Sequence, residues 1–147
     1  MSGHPRILAY LQRAVSHEFS AAQQFTLQAV QAERLTLGSF ADELRAGAHD
    51  ELRHAEAFSG RLYELGAGSA CVNVVARPVG RTLVELLRFG LETESEAMRL
   101  YSEALLFCER VSDASNAVLF SRIHGDEVRH YQELGRRLRE LGAELKY

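Results

Sequence analysis

Apolar residues recur along the chain at steps of three and four, the period of one helix face. The first stripe is Leu8, Leu11, Val15, Glu18, Ala22, Phe25, Ala29, and the second is Phe40, Leu44, Gly47, Glu51, His54, Phe58, Leu62, Leu65. A third follows as Leu83, Leu87, Gly90, Glu94, Ala97, Tyr101, Leu105, Cys108, and a fourth as Asn116, Phe120, Ile123, Glu127, His130, Leu134, Leu138, Leu141. The pattern predicts four amphipathic helices. Pro5 suits a first turn, and the first stripe breaks near Gly38. Ser39 is the expected N-cap of the second helix and Gly66 its C′ residue. Thr82 and Glu85 stand at capping-box spacing ahead of the third, and Gly142 is expected to close the fourth.

Residues 67–80, AGSACVNVVARPVG, carry no helical period. Extended, these 14 residues reach about 46–50 Å, whereas a helix of roughly 27 residues is about 40 Å long. The segment can therefore run the length of a bundle. Helices one and two are then antiparallel, as are three and four, with one long crossover between the pairs.

The chain also repeats itself. Residues 50–54 read DELRH and residues 126–130 read DEVRH, an offset of 76 (126 − 50). The same offset carries RLYELGA at 61–67 onto RLRELGA at 137–143, Glu18 onto Glu94, and Phe25 onto Tyr101. The two halves thus read as related by a pseudo-two-fold axis, each bringing half of one site.

That site lies on the apolar faces. Glu18, Glu51, Glu94, Glu127, His54 and His130 all occupy stripe positions, with no Lys or Arg on the stripes beside them. Burying four carboxylates without positive charge is prohibitive. Two divalent cations would neutralise four carboxylates and two neutral imidazoles. In E-x-x-H the acid and the imidazole share one helix face, and a Glu from each of the other two helices completes six ligands. This oxygen-rich set suits iron, with manganese possible, better than zinc. Asp50 and Asp126 are expected to orient the His of the opposite motif, and Arg53 and Arg129 to pair with these acids.

Composition narrows the function classes. With 147 residues, 46% of them hydrophobic, the chain reads as one domain over 1–147. Its two cysteines, Cys71 and Cys108, make no disulfide framework, and Cys108 continues the third stripe as a small hydrophobe. The net charge is −3, from 16 Arg, one Lys and 20 acids, and no basic block marks a nucleic-acid partner. Absence of a long apolar run argues against a membrane span, and the N-terminal residues MSGHPRILAY point to a cytoplasmic protein. His4, His17, His49 and His124 read as surface histidines. Leu27, Val30 and Leu37 fall off the main stripe and suggest packing against another subunit.

Glu18, the DELRH of 50–54, Glu94 and the DEVRH of 126–130 resemble the bacterioferritins, within the ferritin-like di-iron superfamily, over nearly the whole chain. The resemblance implies an all-α, ferritin-like four-helix bundle and a ferroxidase that oxidises Fe(II) with O2 or H2O2 for storage or detoxification. It implies that Glu51 and Glu127 bridge two irons, with Glu18 and His54 completing one site and Glu94 and His130 the other. It implies a homo-oligomer built on a dimer. Three positions depart from the family. Leu52 stands where bacterioferritins place a haem-ligating Met, so no haem is expected there. Five residues follow Gly142, where the family carries a fifth helix, which makes a dodecamer or a dimer as plausible as the larger cage. Phe25 replaces the family's Tyr, and a tyrosine stands instead at the pseudo-symmetric Tyr101, a candidate electron donor.

Two other functions fit the same six residues. One is a di-iron oxidase or oxygenase acting on an organic substrate, with Gly47, Gly90 and Ala97 leaving room beside the metals. The other is a non-enzymatic metal-binding bundle. Setting four acids aside for the site leaves 16 (20 − 4) against 17 Lys and Arg, so the remaining surface is not markedly acidic, which favours iron oxidation over large-scale mineral storage.

Overall fold

The structure, a computed structural model, describes residues 3–68 and 72–145, with side chains as far as residue 142. Cys71 lies outside the described residues. Four helices form, α1 (Pro5–Arg34), α2 (Gly38–Glu64), α3 (Leu83–Arg110) and α4 (Ala114–Leu145). The bundle with one long crossover is the all-α architecture that the stripes predict.

Helix ends follow local chemistry. Pro5 opens α1, and His4 caps it by accepting a hydrogen bond from the Arg6 N–H. The Thr82 side chain caps α3 through the Glu85 N–H, and the Glu85 carboxylate accepts from the Arg81 N–H. Gly66, with φ +77°, ends α2 in a Schellman turn, its N–H bonding Tyr63 O and that of Ala67 bonding Leu62 O. Two expectations are corrected. The residue before α2 is Leu37, with no side-chain cap, so Ser39 lies inside the helix. The first hydrogen bond of the helix runs from the Ala41 N–H to the Leu37 carbonyl. α4 also continues through Gly142 to Leu145, because the Ala, Glu and Leu that follow are strong helix formers.

The crossover is tied to α1 by a polar row that the apolar stripes do not reveal. Ser16, Ser20, Gln24, Gln28 and Gln31 stand at steps of four and three. Ser16 and Ser20 accept the N–H groups of Asn73 and Val75 at 2.9 and 2.8 Å. Gln24 donates to Pro78 O at 2.7 Å, Gln28 to Val79 O at 2.9 Å, and Gln31 to Arg81 O at 2.9 Å. Backbone that could not satisfy itself finds its partners here. The contacts advance together, so the crossover runs beside α1 toward its C-terminal end and delivers α3 antiparallel to it.

The core has two apolar layers. One holds Ile7, Leu11, Val15, Phe58, Leu62, Tyr101 and Phe120. The other holds Phe25, Ala29, Phe40, Leu44, Leu86 and Leu87. The regular spacing of the stripes places the six acidic and imidazole residues between them. Leu37 is partly buried against the second layer. Leu27 and Val30 are exposed at 49% and 51%, as is Leu52 at 44%.

Thr36 occupies the α1 counterpart of Gly66, with φ +60°, a region unfavourable to a β-branched side chain. Thr36→Gly is expected to raise stability by about 1 kcal/mol, measured by chemical denaturation. An unchanged or lowered midpoint would show that the turn is not strained.

Candidate metal centre

Each of the four helices brings a carboxylate to the middle of the bundle. Glu18 comes from α1, Glu51 and His54 from α2, Glu94 from α3, and Glu127 and His130 from α4, and all four acids are buried. They fall into two overlapping groups. Ligand atoms of Glu18, Glu51, His54 and Glu127 lie within 4.8 Å of one another, as do those of Glu51, Glu94, Glu127 and His130. Glu51 and Glu127 belong to both groups, so the geometry has two positions that share two acids.

The two histidines are held from behind. His54 Nε2 lies 2.9 Å from Asp126 and His130 Nε2 lies 3.2 Å from Asp50. Each Asp therefore serves the His of the opposite motif, as the repeat suggests. Arg53 pairs with Asp50 and Arg129 with Asp126. A carboxylate on Nε2 places the proton there and turns the Nδ1 lone pair inward. His54 Nδ1 is then 3.0 Å from Glu127 Oε1, and His130 Nδ1 is 3.2 Å from Glu51 Oε1. Lone pair facing lone pair is repulsive unless a cation or a proton sits between them.

Unmet polar atoms concentrate here. Among the described residues, ten buried side-chain nitrogens and oxygens have no hydrogen-bond partner, and eight belong to Glu18, Glu51, His54, Glu94 and Glu127. Orphans of this kind are uncommon in native proteins. A pair of divalent cations would satisfy them and cancel the four carboxylate charges, so the donor set fits metal. Without one, protons do that work. Burial, then the charges of Glu18, Glu94 and Glu127, pushes Glu51 well above the usual carboxylate range. Burial and then Glu127 do the same to Glu94. Burial alone would raise Glu127 as well, but Glu94, His54 and His130 outweigh it and hold it at about 2. Burial alone would lower His54, yet Glu127 and Glu18 carry it to about 10.

Tyr101 is fully buried, and its hydroxyl donates to Glu18 Oε1 at 2.5 Å. Burial, then the charges of Glu18 and Glu127, raises its pKa well above the ordinary phenol, so it stays protonated. Its ring packs on Phe58 and Phe120, with centroids 5.2 and 6.1 Å away.

Two features beside the centre were outside the helical pattern. Arg77, in the crossover, donates to Thr93 at 2.9 Å and Glu96 at 2.6 Å, and its charge opposes the upward shift of Glu94. His17, expected at the surface, is only partly exposed and its Nε2 is buried without a partner. Burial lowers its pKa first, with Arg77 adding to that against Glu18. The correction has a simple cause: the crossover covers the α1 face that would otherwise meet water. His124 is half-buried, with Nε2 3.1 Å from Ser102, while His4 and His49 are exposed as read. Cys108 is a buried free thiol whose pKa burial raises to about 11, in keeping with a hydrophobic role. Gly90 leaves no room beside the centre, since a Cβ there would meet Leu134 Cδ1 at 3.1 Å, and Ala97 is packed in the first apolar layer.

Four helices with one crossover, around a layer of paired carboxylates and imidazoles, define a ferritin-like bundle. The ferritin-like domain family matches residues 8–143. Bacterioferritin of Mycolicibacterium paratuberculosis is 30% identical over 148 aligned positions, covering 99% of this chain and 93% of that protein. Bacterioferritin of Streptomyces coelicolor is 26% identical, covering 99% and 89%. The solved structure of Mycobacterium tuberculosis bacterioferritin BfrA superposes with a TM-score of 0.93 at 26% identity, covering 97% of this chain and 90% of that one. The chain belongs to the ferritin-like family, in its bacterioferritin branch, a group named for iron storage. No described helix is long and apolar enough to cross a membrane.

The charge state gives a signed pH dependence. Above pH 6.5 an unfolded His loses its proton, whereas folded His54 keeps it to about 10. Glu51 and Glu94 likewise hold protons above 4.5 in the folded state only. The folded chain then binds more protons, so stability falls as pH rises. The metal-stripped protein is expected to lose thermal stability steadily from pH 6.5 to 10, and divalent cation should abolish that slope. A flat metal-free profile would contradict this electrostatic reading.

Proposed function

We propose that the protein is a ferroxidase: it takes two Fe(II) ions as substrate between its four helices and oxidises them for storage or detoxification. The observation that carries this reading is the set of eight orphaned donor atoms, disposed as two overlapping groups around Glu51 and Glu127. Glu18 and His54 would hold one iron, Glu94 and His130 the other, with Glu51 and Glu127 shared. Two ferrous ions reduce O2 and two protons to H2O2, or H2O2 and two protons to two waters. The four carboxylates neutralise the ferrous pair, and Fe(III), with greater charge, is bound still more strongly by the same oxygens. The metal-free protonation pattern means that iron displaces protons on entry. Manganese would fit the same oxygen-rich positions.

Asp126 and Asp50 position the imidazoles. Tyr101 sits one hydrogen bond from the Glu18 side of the centre. When one iron position alone is filled, reducing H2O2 to two waters needs a second electron. Tyr101 supplies it, its proton passing to Glu18 Oε1 and its ring remaining as a neutral radical. The exposed Leu27 and Leu52 line one apolar depression on α1 and α2 with Phe19 and Ala22, a face that suits a second copy of the chain, the dimer from which a larger assembly grows.

Anaerobic Fe(II) titration is expected to break at two ions per chain, and aerobic titration to give matching Fe(III) absorbance. A chain that binds no iron, or binds it without oxidation, would sink the proposal. Asp126→Asn, which can no longer hold the His54 tautomer, is expected to weaken binding of Co(II) by about 10–100-fold with the fold intact by circular dichroism. Unchanged affinity would make Asp126 a surface acid. Electron paramagnetic resonance after H2O2 addition to the partly loaded protein should show a tyrosyl radical that Tyr101→Phe removes. A radical that persists in the variant would assign the electron to another residue.

A further inference from the structure

The repeat makes the site nearly symmetric in its donors, but the packing around it is not symmetric. On one side, a small cavity of about 60 Å³ reaches Glu94 and His130. Its apolar wall includes Phe25, Leu44, Gly47 and Leu134. Shifting each residue by the repeat offset of 76 gives Tyr101, Phe120 and Ile123 for Phe25, Leu44 and Gly47, and Phe58 for Leu134. These counterparts surround the Glu18–His54 side, and all four are buried to within 1% of complete. The same place in the other half is therefore packed shut, with Ile123 where Gly47 leaves space. A Cβ built on Gly47 would meet nothing within 4 Å, so close packing does not require glycine there.

The cavity's size and lining select its occupant. A space of this volume holds one or two waters or one diatomic molecule, and it is well below the range of organic-ligand pockets. Its wall is mostly aromatic and aliphatic, which favours an uncharged, weakly hydrated molecule over an ion. At the rim, Arg137 pairs with Glu43 at 2.5 Å and lies 4.9 Å from the Phe40 ring centre, which neutralises one of the two rim acids; the other, Glu133, is exposed to water.

We infer that this cavity is the entry and holding site for dioxygen, and that Gly47 keeps it open. The inference rests on the ferroxidase reading. It makes the centre polar in function, with oxidant reaching the Glu94–His130 side and the Tyr101 phenol touching the Glu18 side. Helix donors on both sides can hold iron, but among the described residues the apolar cavity reaches only the Glu94–His130 side; the larger cleft of about 320 Å³ over His54 and His130 is lined by Asp50, Arg53, Asp126 and Arg129 and is charged.

Xenon, an apolar probe of similar size, tests the cavity without turnover. Crystals of the whole protein under xenon pressure are expected to show the atom between Gly47 and Leu134, and Gly47→Ile, which copies the closed half, should exclude it. The same variant should need severalfold more O2 for half-maximal Fe(II) oxidation while binding Co(II) at the rate of the unaltered chain. Gly47→Ala, with its higher helix propensity, should fold and lie between the two. No xenon in the cavity, or an unchanged O2 dependence in Gly47→Ile, would overturn the inference. Slower Co(II) binding in that variant would overturn it as well, by making the cavity a cation path. If the unaltered protein takes up xenon there but never oxidises iron, the ferroxidase reading fails instead, and the gas-sized cavity stands without its role.

Discussion

Everything in this bundle answers to one electrostatic constraint: four carboxylates are buried at its centre with no lysine or arginine among them. Removing charged groups from water is among the most expensive acts of folding, and no apolar contact offsets it at the point where it arises. Protons meet the demand in the empty centre, and under the proposed function divalent ions would replace them. The two apolar layers above and below, built on Phe58, Leu62 and Phe120 at one end and on Phe25, Phe40 and Leu87 at the other, hold the four helices while the middle changes charge.

The supports of the site follow from the same constraint. An imidazole with its proton turned inward does not accept a cation, so Asp50 and Asp126 pin the ring from the opposite motif, and Arg53 and Arg129 pair with those acids. The exchange across the pseudo-two-fold axis ties the second and fourth helices together through the very groups that face the centre.

Much of this was legible in the chain because helical period and internal repetition are local signals. Glu18, Glu51, His54, Glu94, Glu127 and His130 each lie on an apolar stripe, and the offset of 76 pairs them in the sequence itself. The Tyr101 position was legible for the same reason, although its bond to Glu18 was not. What escaped depends on elements without period. The row from Ser16 to Gln31 lies off the apolar stripe, and the crossover that it binds also covers His17 in part. Arg77 comes from irregular backbone to bond Thr93 and Glu96 beside the centre. Thr36 takes a left-handed turn that glycine marks at Gly66, and Gly142 fails to stop a helix whose next residues favour it. The asymmetry between Gly47 and Ile123 is visible in the letters, but its consequence appears only when Phe58, Tyr101 and Phe120 are seen to fill one side.

The most direct test of the central claim is anomalous diffraction from a crystal of the protein soaked in Fe(II) without oxygen. Two peaks inside the bundle, both contacted by Glu51 and Glu127, one completed by Glu18 and His54 and the other by Glu94 and His130, are the expected result. A single peak elsewhere, or six side chains turned to water or to arginine with the centre dry, would contradict the account.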